Sequence, residues 1–256
     1  MIVYPPPPLI IEPPRRELVT RAPLVNPLAA ILPGLVPLAG AGVASGSLPV
    51  IASQTVFYEA SPVSSVYTIN APSGTSEGDL LLYFLGVDDG DLGTNNPSPS
   101  GGWTEQLFEE STRFSFILWT RIAGASEPSS YSITLADSEQ SLGAILRITN
   151  FNETTPINVV SSAQDSTDTP IAPDITTTTA NCLVIRAFHR DTSNTIDNSP
   201  SGTVLWAQDS NTPISAIHGG GVSQEKVSAG ATGTAQWTCG GTSEDWGAIS
   251  VAIAPM

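Results

Sequence analysis

The sequence predicts an all-β protein: an antiparallel, jelly-roll-like β-sandwich with an internal pseudo-repeat, preceded by an extended proline-rich N-terminal arm. Three observations predict it. Half of the prolines, 11 of 22, lie in the first 50 of 256 residues. From residue 51 onward, runs rich in β-branched and aromatic residues are separated by Gly, Pro, Asn, Asp and Ser clusters, with no amphipathic helical period between them. Short motifs then recur in the same order roughly a hundred residues apart, the mark of a repeated structural unit.

The arm, residues 1–50, opens with Pro5-Pro6-Pro7-Pro8 and continues through Pro13, Pro14, Pro23, Pro27, Pro33, Pro37 and Pro49. Each proline lacks an N–H and drives the preceding residue toward extended conformations, so helix and central strand are both disfavoured and polyproline II or extended chain is expected. The arm is also apolar. Residues 22–58 contain no Asp, Glu, Lys or Arg, and Leu24, Val25, Leu28, Ile31, Leu32, Leu35, Val36 and Leu38 recur within them. A transmembrane helix is opposed by Pro27, Pro33 and Pro37 and by the Gly/Ala/Ser tract at 39–47. A secretory signal is opposed by Arg15, Arg16 and Arg21, which follow the tetraproline instead of opening the chain. A disordered tail is normally polar, whereas these aliphatic side chains disfavour exposure to water. The arm is therefore expected to bind a partner through Pro5–Pro8 and the eight aliphatic residues just named.

The body, residues 51–256, is expected to contain strands at 55–58, 65–69, 79–87, 104–108, 114–122, 131–135, 142–149, 157–160, 182–188, 204–208, 214–219, 234–238 and 246–253. Leu80, Leu82 and Phe84 alternate with Leu81, Tyr83 and Leu85, so this strand is apolar on both faces and should be covered on both sides.

Asp79-Leu80-Leu81-Leu82 is echoed by Asn181-Cys182-Leu183-Val184, Ser98-Pro99-Ser100-Gly101 by Ser199-Pro200-Ser201-Gly202, and Gly143-Ala144-Ile145 by Gly247-Ala248-Ile249. Ser132-Ile133-Thr134 likewise corresponds to Gln236-Trp237-Thr238. Two related halves, about 75–150 and 178–254, follow. They could be two immunoglobulin-sized sandwiches or contribute alternating strands to one jelly-roll-like sandwich. The second is preferred, because the strand-like Ile157-Asn158-Val159-Val160 occupies the place where a flexible linker would lie.

Charge excludes several functions. With 9 Lys+Arg against 24 Asp+Glu the formal net charge is −15 and the pI near 4.2, which repels a phosphate backbone and an anionic membrane. The arm holds three Arg and two Glu, so the acidity belongs to the body alone, at −16. Cys182 and Cys239 form neither a disulfide framework nor a Cys/His metal motif.

Motifs for chemistry are few. His189 and His218, the only histidines, have no G-x-S-x-G nucleophile near them, and His189, in Phe188-His189-Arg190-Asp191, reads as a rim histidine paired to an acid. Glycoside hydrolysis needs two carboxylates across a scissile bond, but Asp88-Asp89, Glu109-Glu110 and Glu244-Asp245 are also what solvated strand ends carry. In the loop 88–96, Asp89, Asp91 and Asn95 are candidate ligands for a hard cation such as Ca²⁺. The spacing departs from the EF-hand and suits an ordinary turn, so no cofactor is expected. Trp103, leaving a Ser-Gly-Gly loop, is the candidate contact for a host surface glycan; the other tryptophans fall in strand-like runs and are expected in the core.

Gly78-Asp79-Leu80-Leu81-Leu82, Pro99-Ser100-Gly101-Gly102-Trp103-Thr104, Trp119-Thr120-Arg121-Ile122-Ala123 and Tyr131-Ser132-Ile133-Thr134 together resemble a β-sandwich module of tailed-phage virion proteins. The resemblance covers residues 75–150, with a degenerate echo in the second half, where the Trp-x-Arg element is missing. It implies a non-enzymatic structural protein at the virion surface, without catalytic residues. Its partners would be other virion proteins, the major capsid protein first, in a homo-oligomeric arrangement without nucleic acid or membrane. Capsid decoration or cement is the leading role. A tail fibre or baseplate receptor-binding component, and a carbohydrate-binding or glycan-cleaving module, are the alternatives.

Overall fold

The computed structural model describes residues 46–59, 64–88, 90, 92, 97–111, 113–192, 195–209, 217–241 and 243–256, all within one compact unit, Ala44–Met256. The arm contacts predicted at Pro5–Pro8 and Leu24–Leu38 lie outside the described residues, as do Asp89, Asp91 and Asn95. Among the described residues every regular element is a strand.

The first half contains β1 (Val50–Glu59), β2 (Val66–Asn70), β3 (Leu80–Val87), β4 (Thr104–Glu110), β5 (Ser115–Ile122), β6 (Ser130–Thr134) and β7 (Ser141–Thr149). Five of them form an antiparallel sheet in the order β1-β7-β3-β5-β4, while β2 pairs with β6 separately. The second half contains β8 (Ile157–Asp165), β9 (Ile171–Ala172), β10 (Thr176–Thr177), β11 (Cys182–Asp191), β12 (Ile196–Asn198), β13 (Thr203–Gln208), β14 (Ile217–Lys226), β15 (Gly230–Ala231), β16 (Ala235–Gln236), β17 (Thr238–Cys239) and β18 (Trp246–Ile253). Its large sheet runs β8-β18-β11-β14-β13, also antiparallel, and the short strands pair as β9 with β16, β10 with β15 and β12 with β17. The two orders superimpose strand for strand: β1 on β8, β7 on β18, β3 on β11, β5 on β14 and β4 on β13.

This topology bears out the antiparallel all-β reading; its two large sheets repeat one strand order, and they differ from the jelly-roll expectation in how they combine. Among the described residues no strand of one half joins the other half's large sheet, so the interleaving expected of a jelly-roll is not seen and each half supplies its own large sheet. The inner faces of these sheets pack together. Leu80, Leu82, Phe84, Leu118, Leu146 and Ile148 meet Leu183, Ile185, Ala187, Ile249, Val251 and Ile253 in one core.

Each outer face is covered too. Leu81, Tyr83, Leu85 and Ile145 pack under Tyr67 and Ile69 of β2 and Tyr131 and Ile133 of β6. Phe188, Val222 and Ala248 pack with Ala172, Ala235, Trp237 and Cys239 from the short strands. Hence β3 is buried along its whole length, as its uninterrupted apolar run requires.

The motif alignment itself is one residue out of step with the sheets. Ile145 faces outward, but its motif partner Ile249 lies in the core between the sheets. A one-residue slip turns every side chain to the other face, so the repeat is conserved as strand order and not as residue-for-residue equivalence. Strand boundaries also shift. β1 starts at Val50, β8 runs on to Asp165, and β14 extends to Lys226 through Gly219-Gly220-Gly221. That glycine run lacks the β-branched signature of a strand, yet a Cβ at Gly221 would overlap the Trp206 ring and one at Gly219 the carbonyl of Phe188.

Candidate docking groove

Several motif residues of the first half come together around one carboxylate. Arg121 donates from Nε to Glu127 Oε1 at 2.7 Å and from Nη2 to Oε2 at 3.3 Å, Tyr131 Oη donates to Oε1 at 2.7 Å, and the Gly124 N–H donates to Oε2 at 2.6 Å. Burial pushes the Glu127 carboxyl up, but these donors outweigh it and hold the group below its ordinary value. Arg121 also donates to the carbonyl of Gly102 at 3.3 Å. Gly101 and Gly102 sit at φ 103° and 80°, a left-handed turn suited to glycine. A second pair, Arg147 Nε to Asp79 Oδ2 at 2.7 Å, ties β7 to the start of β3. These motif residues therefore brace the fold.

Trp103 belongs to the same brace, which corrects its reading as an open stacking platform. It is 8% exposed, stands edge-on to Tyr83 and Tyr131 with centroids 5.8 and 5.0 Å away, and donates from Nε1 to the Ser100 carbonyl at 3.2 Å. The glycines before it turn the chain inward and carry the indole into the outer core. Trp119, Trp206, Trp237 and Trp246 are buried as expected.

His189 is also misplaced by the sequence reading. It is fully buried between the sheets, edge-on to Phe116 at 4.3 Å, and not paired to an acid at the rim. Burial, reinforced by His218, pushes its pKa down to about 3. His218 donates from Nδ1 to the Thr192 carbonyl at 2.9 Å, and burial lowers its pKa to about 4. Both are neutral core side chains at ordinary pH.

At the same end of the sandwich, acids distant in sequence converge. Asp191 meets Asp88, and Arg113 Nη1 lies 3.9 Å from Asp191 Oδ2 and 3.2 Å from Glu244 Oε2. Burial first, then Asp88, pushes the Asp191 carboxyl up to about 7. Of the acid pairs noted in the sequence, Asp88 and Glu244 join here, whereas Glu109 accepts from Ser162 Oγ across the sandwich. Among the described residues no group of three or more His, Cys, Asp or Glu is arranged to hold a metal ion.

A sizeable groove lies elsewhere. Between edge strands β1 and β13 runs a groove of about 640 Å³, bordered by Leu48, Val50, Ile51, Leu183, Val204 and Leu205. Val50 is 45% and Val204 52% exposed. Among the described residues, Glu225 is the only charged one on its walls. Gln54 bridges it, donating from Nε2 to the Leu205 carbonyl. Sequence reasoning missed this site because its walls come from segments some 150 residues apart that meet only when the sheets stack. Its one legible sign is that the charge-free stretch 22–58 runs on past the arm into β1.

Comparison of the chain with protein-family models, curated proteins and solved structures gave no significant match.

Proposed function

We propose that this chain is a non-enzymatic structural subunit of a tailed-phage particle, held to neighbouring subunits by its arm and displaying the acidic sandwich on the particle surface as a capsid decoration or cement protein. One observation carries the reading: the charge lies in the body, 51–256, at −16, whereas the apolar stretch 22–58 is charge-free and runs on into edge strand β1 of the sandwich. Proline-stiffened chain loses less conformational entropy on docking than a flexible segment would, so such an arm suits anchoring. A strongly acidic body resists self-precipitation and is suited to facing solvent. Further support comes from the residues that resemble virion modules, which brace the fold around Glu127.

Deleting residues 1–48 tests it. The truncated chain should fold, since the cores described above lie beyond that point, and should fail to enter particles. Unchanged incorporation would overturn the anchoring role. Particles lacking the protein should lose heat resistance, and heat-stable ones would remove the cement role.

A further inference from the structure

We infer that the groove between β1 and β13 is the receptor for the arm of a second copy of this chain, which enters it through the stretch between Leu28 and Leu38. The inference rests on the anchoring role proposed above and names the partner.

The sandwich breaks the symmetry of its own repeat. The pseudo-repeat makes the β1/β13 side of the sandwich equivalent to the β8/β4 side. On the β8/β4 side Leu107, Ile157 and Val160 pack onto the inter-sheet core, and Ser162 Oγ donates to Glu109. On the β1/β13 side Ile51 and Leu205 also reach that core and Gln54 donates across to the Leu205 carbonyl, but outside them the sheets part into the groove. One fold unit, used twice, closes one side and opens the other.

The walls state what fits. Val50 and Val204 are half-exposed aliphatic residues on terminal strands of the two sheets, and among the described residues each strand pairs with a neighbour on one side only. Unpaired strand edges invite an extended chain. With Glu225 the only charged one among the described wall residues, an anionic guest would lose solvation without gaining a partner, and a cationic one would find a single carboxylate. Within this chain, residues 22–45 match: they carry no charge and are rich in Leu, Val, Ile and Pro. Pro33 and Pro37 prevent continuous ladder pairing, so aliphatic side chains would supply the contact and the arm carbonyls would accept from edge N–H groups. The five residues Val50–Gln54 along the groove span about 17 Å. A polyproline stretch of about five or six residues covers that length at about 3.1 Å per residue, as Ile31 to Val36 would.

Leu48 and Pro49, which follow the arm in sequence, form part of the groove. Donor and acceptor segments are thus close in sequence, and exchange between copies is a heterologous contact that repeats around a ring or along a surface.

Complementation in the full-length chain tests this. The groove variant carries Val50→Asp with Val204→Asp, and the arm variant carries Leu32→Asp with Leu35→Asp. Light scattering after size exclusion should find the wild type oligomeric and each variant monomeric with an unchanged melting temperature. An equimolar mixture of the two should form heterodimers, because each lacks what the other retains. A monomeric wild type, a groove variant that still self-associates, or a mixture that stays monomeric would overturn the inference. Should the groove substitutions disturb folding, the arm variant alone decides it: undiminished self-association contradicts the proposal. A groove variant that enters particles normally while the 1–48 deletion does not would overturn this inference and leave the anchoring role standing.

Discussion

Gly86 of β3 and His189 of β11 face each other across the two sheets, and a Cβ at position 86 would overlap the His189 imidazole. The two residues are adjacent in the fold because the central strands of the two halves stack directly, and neither is intelligible in sequence without the other. Gly86→Ala should destabilise the protein by about 1–3 kcal/mol through overpacking. Combining it with His189→Ala should recover part of that loss. Urea denaturation of the four proteins in the cycle measures the coupling, and strictly additive effects would show that the residues do not meet.

Acid should act through the two buried histidines. Their folded pKa values, about 3 and 4, lie below the ordinary 6.5, so between about pH 6.5 and 4 the unfolded chain binds protons that the folded one refuses. Each histidine therefore removes stability as pH falls through that window, at roughly 1 kcal/mol per pH unit. Asp191 acts with the opposite sign. Its folded pKa of about 7 exceeds 3.8, so folding retains a proton there and its contribution fades as pH rises from about 4 to 7. Replacing His189 and His218 with Leu should flatten the acid limb of a stability-against-pH curve, and Asp191→Asn should flatten the opposing limb.

Glu127 collects four donors from three residues, so Glu127→Ala should cost about 2–3 kcal/mol by leaving the Arg121 and Tyr131 donors without their acceptor. Tyr131→Phe, which removes one donor and leaves the carboxylate its others, should cost about 1 kcal/mol. Chemical denaturation checks both. Equal losses would mean that the network does not centre on the carboxylate.

The halves should depend on each other. A fragment of residues 150–256 alone would expose Leu183, Ile185, Ile249, Val251 and Ile253, which the first sheet covers. It should unfold or self-associate, and co-expression with 46–149 should restore a cooperative thermal transition. A monomeric, stably folded 150–256 fragment would contradict the shared core.

What the sequence disclosed follows from the range of the forces involved. Local signals sufficed for strand identity: the alternation of Leu80, Leu82 and Phe84 with Leu81, Tyr83 and Leu85 foretold a strand covered on both faces, and the two faces lie in separate cores. Repeat motifs foretold two halves, but how two sheets combine is decided by long-range pairing that no short motif encodes. Trp103 read as exposed because a Ser-Gly-Gly loop precedes it, yet those glycines turn the chain inward. His189 read as a rim residue because Arg190 and Asp191 follow it, although strand alternation sends its side chain between the sheets. The groove, the acid cluster around Asp191 and the Gly86–His189 contact all join residues of different halves, so they became visible only in the folded chain.

Counting copies of the full-length chain in purified particles, by quantitative gel or mass spectrometry, is the most direct test of the proposed surface subunit of a tailed-phage particle. Hundreds of copies per particle are expected, as a capsid decoration or cement protein requires. A few copies would move it to the tail, and its absence from particles would rule out the proposed role altogether.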